Sequence, residues 1–147
     1  MSQLTELIQI SEGLLKLSMM TMIGLYFIFS NTVMKSLKNM ENGADVMVEI
    51  NQVILNPVFM AFFILSGVAS AYFTFTGEGM LRVSGGIFFI GTTLVTIIKN
   101  VPLNNELEDT IAPNSRAVFW QEYLQKWVFW NHLRTVSGIT SGFFILV

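Results

Sequence analysis

Apolar residues fall into four blocks along the chain, separated by polar connections. Leu14 to Met34 carries one charge near its start, Lys16, and then runs almost without polar interruption. Val53 to Phe75 has Pro57 near its beginning, Leu81 to Ile98 has Arg82 as its sole charge, and Trp127 to Val147 runs to the last residue. A membrane-spanning helix takes about 20 mostly apolar residues, with a range of about 17–25, and each block meets it. The pattern predicts an all-α membrane protein, a single integral membrane domain over 1–147 with spans near 14–34, 53–75, 81–98 and 127–147. Glu6 and Glu12 precede the first block and no small-residue cleavage site follows it, so it reads as a span and not a removed leader.

The connections are unequal. Thr76-Gly77-Glu78-Gly79 is a tight turn, whereas Lys35 to Gln52 and Lys99 to Lys126 are long. In a four-transmembrane-helix bundle both long loops then lie on one face, opposite the termini. The first contains a short amphipathic helix: within Ala44–Asn56, Met47, Ile50, Asn51 and Ile54 share a face away from Asp45 and Glu49. It leads into span two with a bend expected at Asn56-Pro57. Pro102 is expected to end span three, and Pro113-Asn114-Ser115 to start the last helix. The loop side carries Lys35, Lys38, Lys99, Arg116, Lys126 and Arg134 against Lys16 and Arg82 on the other, which places the loops in the cytoplasm by the positive-inside rule.

Composition narrows the function classes. Of 147 residues, 52% are hydrophobic and 12% charged, with mean hydropathy +0.59; a soluble domain carries about 25% charged residues. With 8 Lys+Arg against 10 Asp+Glu there is no basic excess to neutralise phosphates, so nucleic acid is not an expected partner. The lack of cysteine removes disulfides, thiolate nucleophiles and thiolate metal sites.

The last helix concentrates the chemistry. At about 100° per residue, Trp120, Tyr123, Trp127, Asn131 and Arg134 share a strip about 80° wide. Gly138, Ser141 and Gly142 continue it, and such small residues let membrane helices approach closely. Arg134 lies roughly 20 Å of helix before Val147. At that depth a charge either faces the interior with a partner or snorkels to the interface. Trp120 and Trp130 also read as aromatic-belt residues. His132 falls off the strip and, as the single histidine, builds no His-rich metal or haem site.

Asparagines reach the same side by topology: Ser30-Asn31, Asn51 and Asn56 beside span two, Asn100 and Asn104 beyond span three. Taken singly each reads as a helix cap or stop. Together they predict a polar pocket in which Trp127, Asn131 and Arg134, with Tyr123 above, are closed by Asn51 or Asn56 and by Asn100 or Asn104. Trp120 and His132 complete the candidate binding set. Glu106, Glu108 and Asp109 read as a solvated loop, because regular ligand spacing and nearby histidines are missing.

Three segments together resemble a known signature. NxxxxNPxFM at Asn51–Met60, NVPLNxxL at Asn100–Leu107 and WxxYxxxWxxWNHxRT at Trp120–Thr135, with Ser30-Asn31, are similar to the anthrone-oxygenase-like family of small four-helix membrane proteins. The resemblance implies a multi-pass protein of a bacterial inner membrane. For the fungal members it implies oxidation of polyketide anthrones to anthraquinones by O₂, with no metal or flavin cofactor. On that reading Trp127, Asn131 and Arg134 are catalytic: an anthrone enolate stacks on Trp127 or Tyr123, and Arg134 with an Asn amide holds its oxyanion.

Three function classes stay open at this point. The first is a cofactor-independent or quinone-type oxidoreductase acting on an amphipathic aromatic molecule. The second is a carrier for such a molecule or for a membrane lipid. The third is an accessory subunit of a larger membrane complex or homo-oligomer. An accessory subunit needs apolar and small-residue faces, and not an arginine, tryptophans and asparagines converging at one depth.

Overall fold

A computed structural model describes residues 3–147, and these form five helices with no strand among them. They are α1 (Gln3–Lys38), α2 (Gly43–Ile54), α3 (Pro57–Thr76), α4 (Gly79–Asp109) and α5 (Pro113–Leu146). Helices α1, α3 and α4 are long and apolar enough to cross a membrane. Helix α5 is the longest after α1, with 34 residues, but Arg116, Glu122, Lys126, His132 and Arg134 punctuate it.

The four long helices contact one another in a ring, α1 on α3 and α5, and α4 on α3 and α5. Small residues set the approach. A Cβ on Gly85 would come within 2.6 Å of the Thr74 amide nitrogen and 2.7 Å of the Ser70 carbonyl oxygen, so α3 and α4 meet backbone to backbone. Between α4 and α5, Ser84 Oγ donates to the Ser141 carbonyl at 2.9 Å and Ser141 Oγ donates back to the Ser84 carbonyl at 3.0 Å. Gly138 and Gly142 admit Ile23 of α1.

Burial differs from that of a water-soluble domain, with polar side chains inside and large apolar ones outside as well as in the core. Ser66, Ser70, Ser84, Thr92, Asn100, Asn131, Arg134 and Ser141 are buried, whereas Ile64, Val68, Phe75, Ile90 and Val136 are exposed. Apolar side chains facing out cost nothing in hydrocarbon; Ser84, Asn100, Asn131, Arg134 and Ser141 bond across to neighbouring helices, whereas Ser66, Ser70 and Thr92 bond to carbonyls of their own helices.

The connections depart from the sequence expectation in one place. Pro102 does not end the third helix; α4 continues to Asp109, and the long loop contracts to residues 110–112. The cause is local. Two π-helical turns, Phe89–Leu94 and Thr96–Asn100, precede Pro102, which stands in the first turn of the α-helical segment beyond them. Proline is tolerated there because its missing N–H and its ring fall on the boundary turn and not on a regular α-helical ladder. At the expected bend before α3 the chain breaks outright: Asn56 is extended, and its side-chain oxygen accepts from the Val58 and Phe59 amides at 3.1 and 3.0 Å. The expected amphipathic helix is α2, with Met47 and Asn51 buried and Asp45 and Glu49 exposed. The α3–α4 turn uses Gly79 at φ 52°, a conformation open to glycine without penalty.

Helix α2 is tied to the end of α4 and the start of α5. Arg116 pairs with Asp45 at 2.6 Å, and Gln52 Nε2 donates to Glu108 at 2.8 Å. Beneath them Met34, Leu37, Met47, Leu107, Trp120, Tyr123 and Trp127 form one apolar cluster; Met19, Met22, Ala69, Phe73 and Phe88 form another toward the opposite end.

Candidate functional site

Between these clusters lies a cavity of about 300 Å³, at the lower end of the range for small-molecule sites. Its walls are mostly apolar, with Phe29 from α1, Met47 and Ile50 from α2, and Phe59 and Phe63 from α3. Polar groups enter from α2, α4 and α5. On α4, Thr96, Asn100 and Asn104 succeed one another at one-turn spacing along the wall.

Arg134 occupies the polar end and is 5% exposed. Its Nη1 donates to Thr96 Oγ1 at 3.1 Å and its Nη2 to Asn131 Oδ1 at 2.6 Å. The guanidinium carbon lies 4.6 Å from the Tyr26 ring centroid and 5.2 Å from that of Trp127, contacts that stabilise a cation between aromatic faces. No carboxylate pairs with Arg134 among the described residues. Its positive charge is therefore compensated only by neutral acceptors and rings, and Nε has no partner.

The remaining polar contacts fix this arrangement. Asn131 Nδ2 donates to Ser30 Oγ at 2.7 Å and to the Tyr26 carbonyl at 3.2 Å, and Ser30 shares a hydrogen bond with Thr135 at 2.7 Å. Those bonds tie α1 to α5 and hold Asn131 Oδ1 toward Arg134. Asn100 Nδ2 donates to the Trp127 carbonyl at 3.3 Å. Asn104 Oδ1 accepts from Tyr123 Oη and from Trp127 Nε1, both at 2.8 Å. Trp120, Tyr123 and Trp127 stack along α5 with centroid separations of 5.4 and 6.0 Å.

Three buried side-chain atoms lack a hydrogen-bond partner among the described residues: Arg134 Nε, Asn51 Nδ2 and Asn100 Oδ1. All three belong to residues that line this cavity. Buried polar groups are normally satisfied, and these three exceptions, two donors and an acceptor, all belong to side chains around one apolar hollow.

Of the ten residues singled out from the sequence, Trp127, Asn131, Arg134, Asn51, Asn100 and Asn104 line the cavity together. Tyr123 and Trp120 stand behind it in the stacked ladder. Asn56 lies elsewhere, as the exposed cap of α3, and His132 is exposed on the far face of α5. Of the acidic run, Glu108 reaches the cavity wall while bonded to Gln52. Tyr26 and Thr96 were not singled out. Their signal was present in the sequence, since Tyr26 and Ser30 stand four apart on α1 and Thr92, Thr96 and Asn100 at four-residue steps on α4, polar faces on apolar helices.

A potential metal cluster of three or more His, Cys, Asp or Glu side chains does not occur among the described residues. A family model described as anthrone oxygenase matches residues 46–144, which takes in α2 through most of α5. No curated protein and no solved structure matches the chain.

Proposed function

This chain belongs to the anthrone oxygenase family, and from that premise we propose that its cavity binds an amphipathic aromatic ketone as the enolate and oxidises it with O₂, without a cofactor. The observation that carries the reading is Arg134: a buried guanidinium on the wall of an apolar hollow, with an unpartnered Nε and no carboxylate partner among the described residues. Donors fixed in a low-dielectric site act most strongly on charge that develops during reaction. A ligand oxyanion drawn to Arg134 supplies the negative charge that the described residues around it do not. Trp127, Phe29 and Phe59 then contact the rings.

The chemistry balances with O₂ alone. The ring methylene of an anthrone loses a proton to give the enolate, whose oxygen Arg134 stabilises. The enolate carbon reduces O₂ and forms a C–O bond; the protonated peroxide loses water. One CH₂ and one O₂ become one C=O and one H₂O, and no other reductant is consumed.

In the bilayer we place α5 as a fourth span beside α1, α3 and α4, with the α1–α2 and α4–α5 connections on one side and the α3–α4 turn on the other. Arg134 then lies inside the ring of helices, which offsets its cost in hydrocarbon.

A second reading, binding without turnover, draws on one observation. Glu108, the one carboxylate on the cavity wall among the described residues, lies about 18 Å of helix beyond Thr96, remote from Arg134. The substrate's own acidity must therefore carry proton release. Incubating the protein in detergent with anthrone and following O₂ uptake and quinone absorbance separates the two. Saturable O₂ uptake matched by quinone supports oxidation; tight binding with uptake no faster than in buffer establishes a carrier.

A further inference from the structure

The outer face of α4 and α5 carries a second hollow of about 610 Å³, with a different lining from the first. Helix α4 turns Thr96, Asn100 and Asn104 to the cavity, and Lys99, Pro102 and Glu106 to this groove. Ile98 and Phe129 form an apolar flank, 59% and 61% exposed. Lys99 Nζ stands 5.0 Å from the Trp130 ring centroid and has no ion pair among the described residues. Lys126 also lines the groove and pairs with Glu122.

The level of the groove in the protein is set by helix rise. At about 1.5 Å per residue, the stretch from Gly79 to Lys99 measures about 30 Å, the thickness of the hydrocarbon core. A lysine over a tryptophan at that level, with apolar side chains toward the core and a carboxylate about 10 Å farther out, matches the chemical layers of a membrane interface.

We infer that this groove holds a glycerophospholipid with a zwitterionic headgroup. Its phosphate lies between Lys99 and Lys126, its primary amine points toward Glu106, and an acyl chain follows Ile98 and Phe129. Charge complementarity selects the headgroup. Within the groove Lys99 is opposed by Glu106, and Lys126 is paired with Glu122 just outside it, so little net charge is left to attract a purely anionic headgroup. A phosphate joined to an amine satisfies both signs at once. The inference rests on α4 crossing the membrane and is independent of any chemistry in the cavity.

Native mass spectrometry of the full-length protein in mild detergent tests it, with phosphatidylethanolamine, phosphatidylglycerol and diacylglycerol of identical chains added in turn, and inorganic phosphate as a separate arm. Phosphatidylethanolamine should be retained about threefold to fivefold better than phosphatidylglycerol, the scale of one exposed ion pair, and diacylglycerol should be retained least. Glu106→Gln should abolish that preference, Lys99→Gln and Lys126→Gln should each lower retention of both phospholipids toward that of diacylglycerol, Lys99→Arg should keep both, and Lys38→Gln, at an exposed site away from the groove, should leave both unchanged. Helicity and melting of each variant, measured on the same samples, identify a variant that fails to fold, and the others then carry the test. Equal retention of the two phospholipids, a preference untouched by Glu106→Gln, retention untouched by both lysine variants, or inorganic phosphate binding in place of lipid overturns the assignment.

Discussion

Replacing Arg134 by methionine separates the energetics of the fold from those of the site. In the folded protein Arg134 makes two charge-assisted hydrogen bonds, to Thr96 and Asn131, each worth about 1.5–3 kcal/mol. Against them stands the cost of burying a guanidinium without a counter-charge, several kcal/mol even after relaxation. Methionine fills much of the same volume, removes the charge, and leaves Asn131 Oδ1 and Thr96 Oγ1 each short of one donor. The opposing terms are of similar size, so the melting temperature should move little. Ligand binding has no such offset. Loss of one charge-assisted bond to an oxyanion weakens the affinity by about 1.5–3 kcal/mol, roughly tenfold to a hundredfold in Kd. Titration with anthrone, followed by quenching of tryptophan fluorescence, reads the affinity; a thermal melt on the same sample reads the fold. Arg134→Lys, which keeps the charge but loses the planar fork, should fall between. Unchanged affinity in the methionine variant refutes the oxyanion role. Loss of binding in step with loss of helix assigns Arg134 to assembly instead.

Other substitutions separate neighbouring roles. Asn56→Ala removes the α3 cap and should cost about 1 kcal/mol of stability with anthrone affinity unchanged, as judged by melting and titration. His132→Ala, at an exposed position, should change stability by less than about 0.5 kcal/mol and binding not at all. Gly85→Ala, facing the α3 backbone, should destabilise by about 1–3 kcal/mol, whereas Gly86→Ala, with nothing within 4 Å, should be neutral or stabilise by up to about 1 kcal/mol. Cysteines placed at Asn42 and Glu108 should label from one side of the membrane and a cysteine at Glu78 from the other; labelling of the first two from opposite sides refutes the four-span arrangement.

The sequence made the helical class readable because long apolar runs admit few alternatives, and the α5 stripe because a 3.6-residue period selects one face over 15 residues. Trp127, Asn131 and Arg134 meet in space for that reason. The choices left open between Asn51 and Asn56, and between Asn100 and Asn104, turned on contacts no period encodes. Asn56 is taken by the two amides it caps, whereas Asn51, on the buried face of α2, reaches the cavity. Both Asn100 and Asn104 line it, because they stand one turn apart on a helix that continues past Pro102. Tyr26 was hidden by its apolar neighbourhood in α1, where a single tyrosine looks like lipid-facing bulk until the arginine over its ring is seen.

The continuation of α4 is also what makes the cavity polar along its length. Had the helix stopped before Pro102, Asn104 and Glu108 would belong to a solvated loop and the wall would end at Asn100. Instead the π-helical turn Thr96–Asn100 sits immediately ahead of the proline, and α1 has its own π-helical turn, Phe29–Val33, carrying Phe29 and Ser30 at the same site. A π turn inserts an extra residue into the helical ladder and rotates the residues beyond it, a device often found at functional sites. Here the two turns bring Ser30 to Asn131, and Thr96 to Arg134. Removing the second π turn of α4 by deleting one residue between Val95 and Lys99 would rotate Asn100 and Asn104 by about 100°, away from Trp127. Such a deletion should remove the two hydrogen bonds to Asn104 and the one from Asn100 while the apolar exterior still supports insertion. The measurement is anthrone affinity in a variant that remains helical and monodisperse, and binding as tight as that of the parent chain would show that the π turn does not set the site.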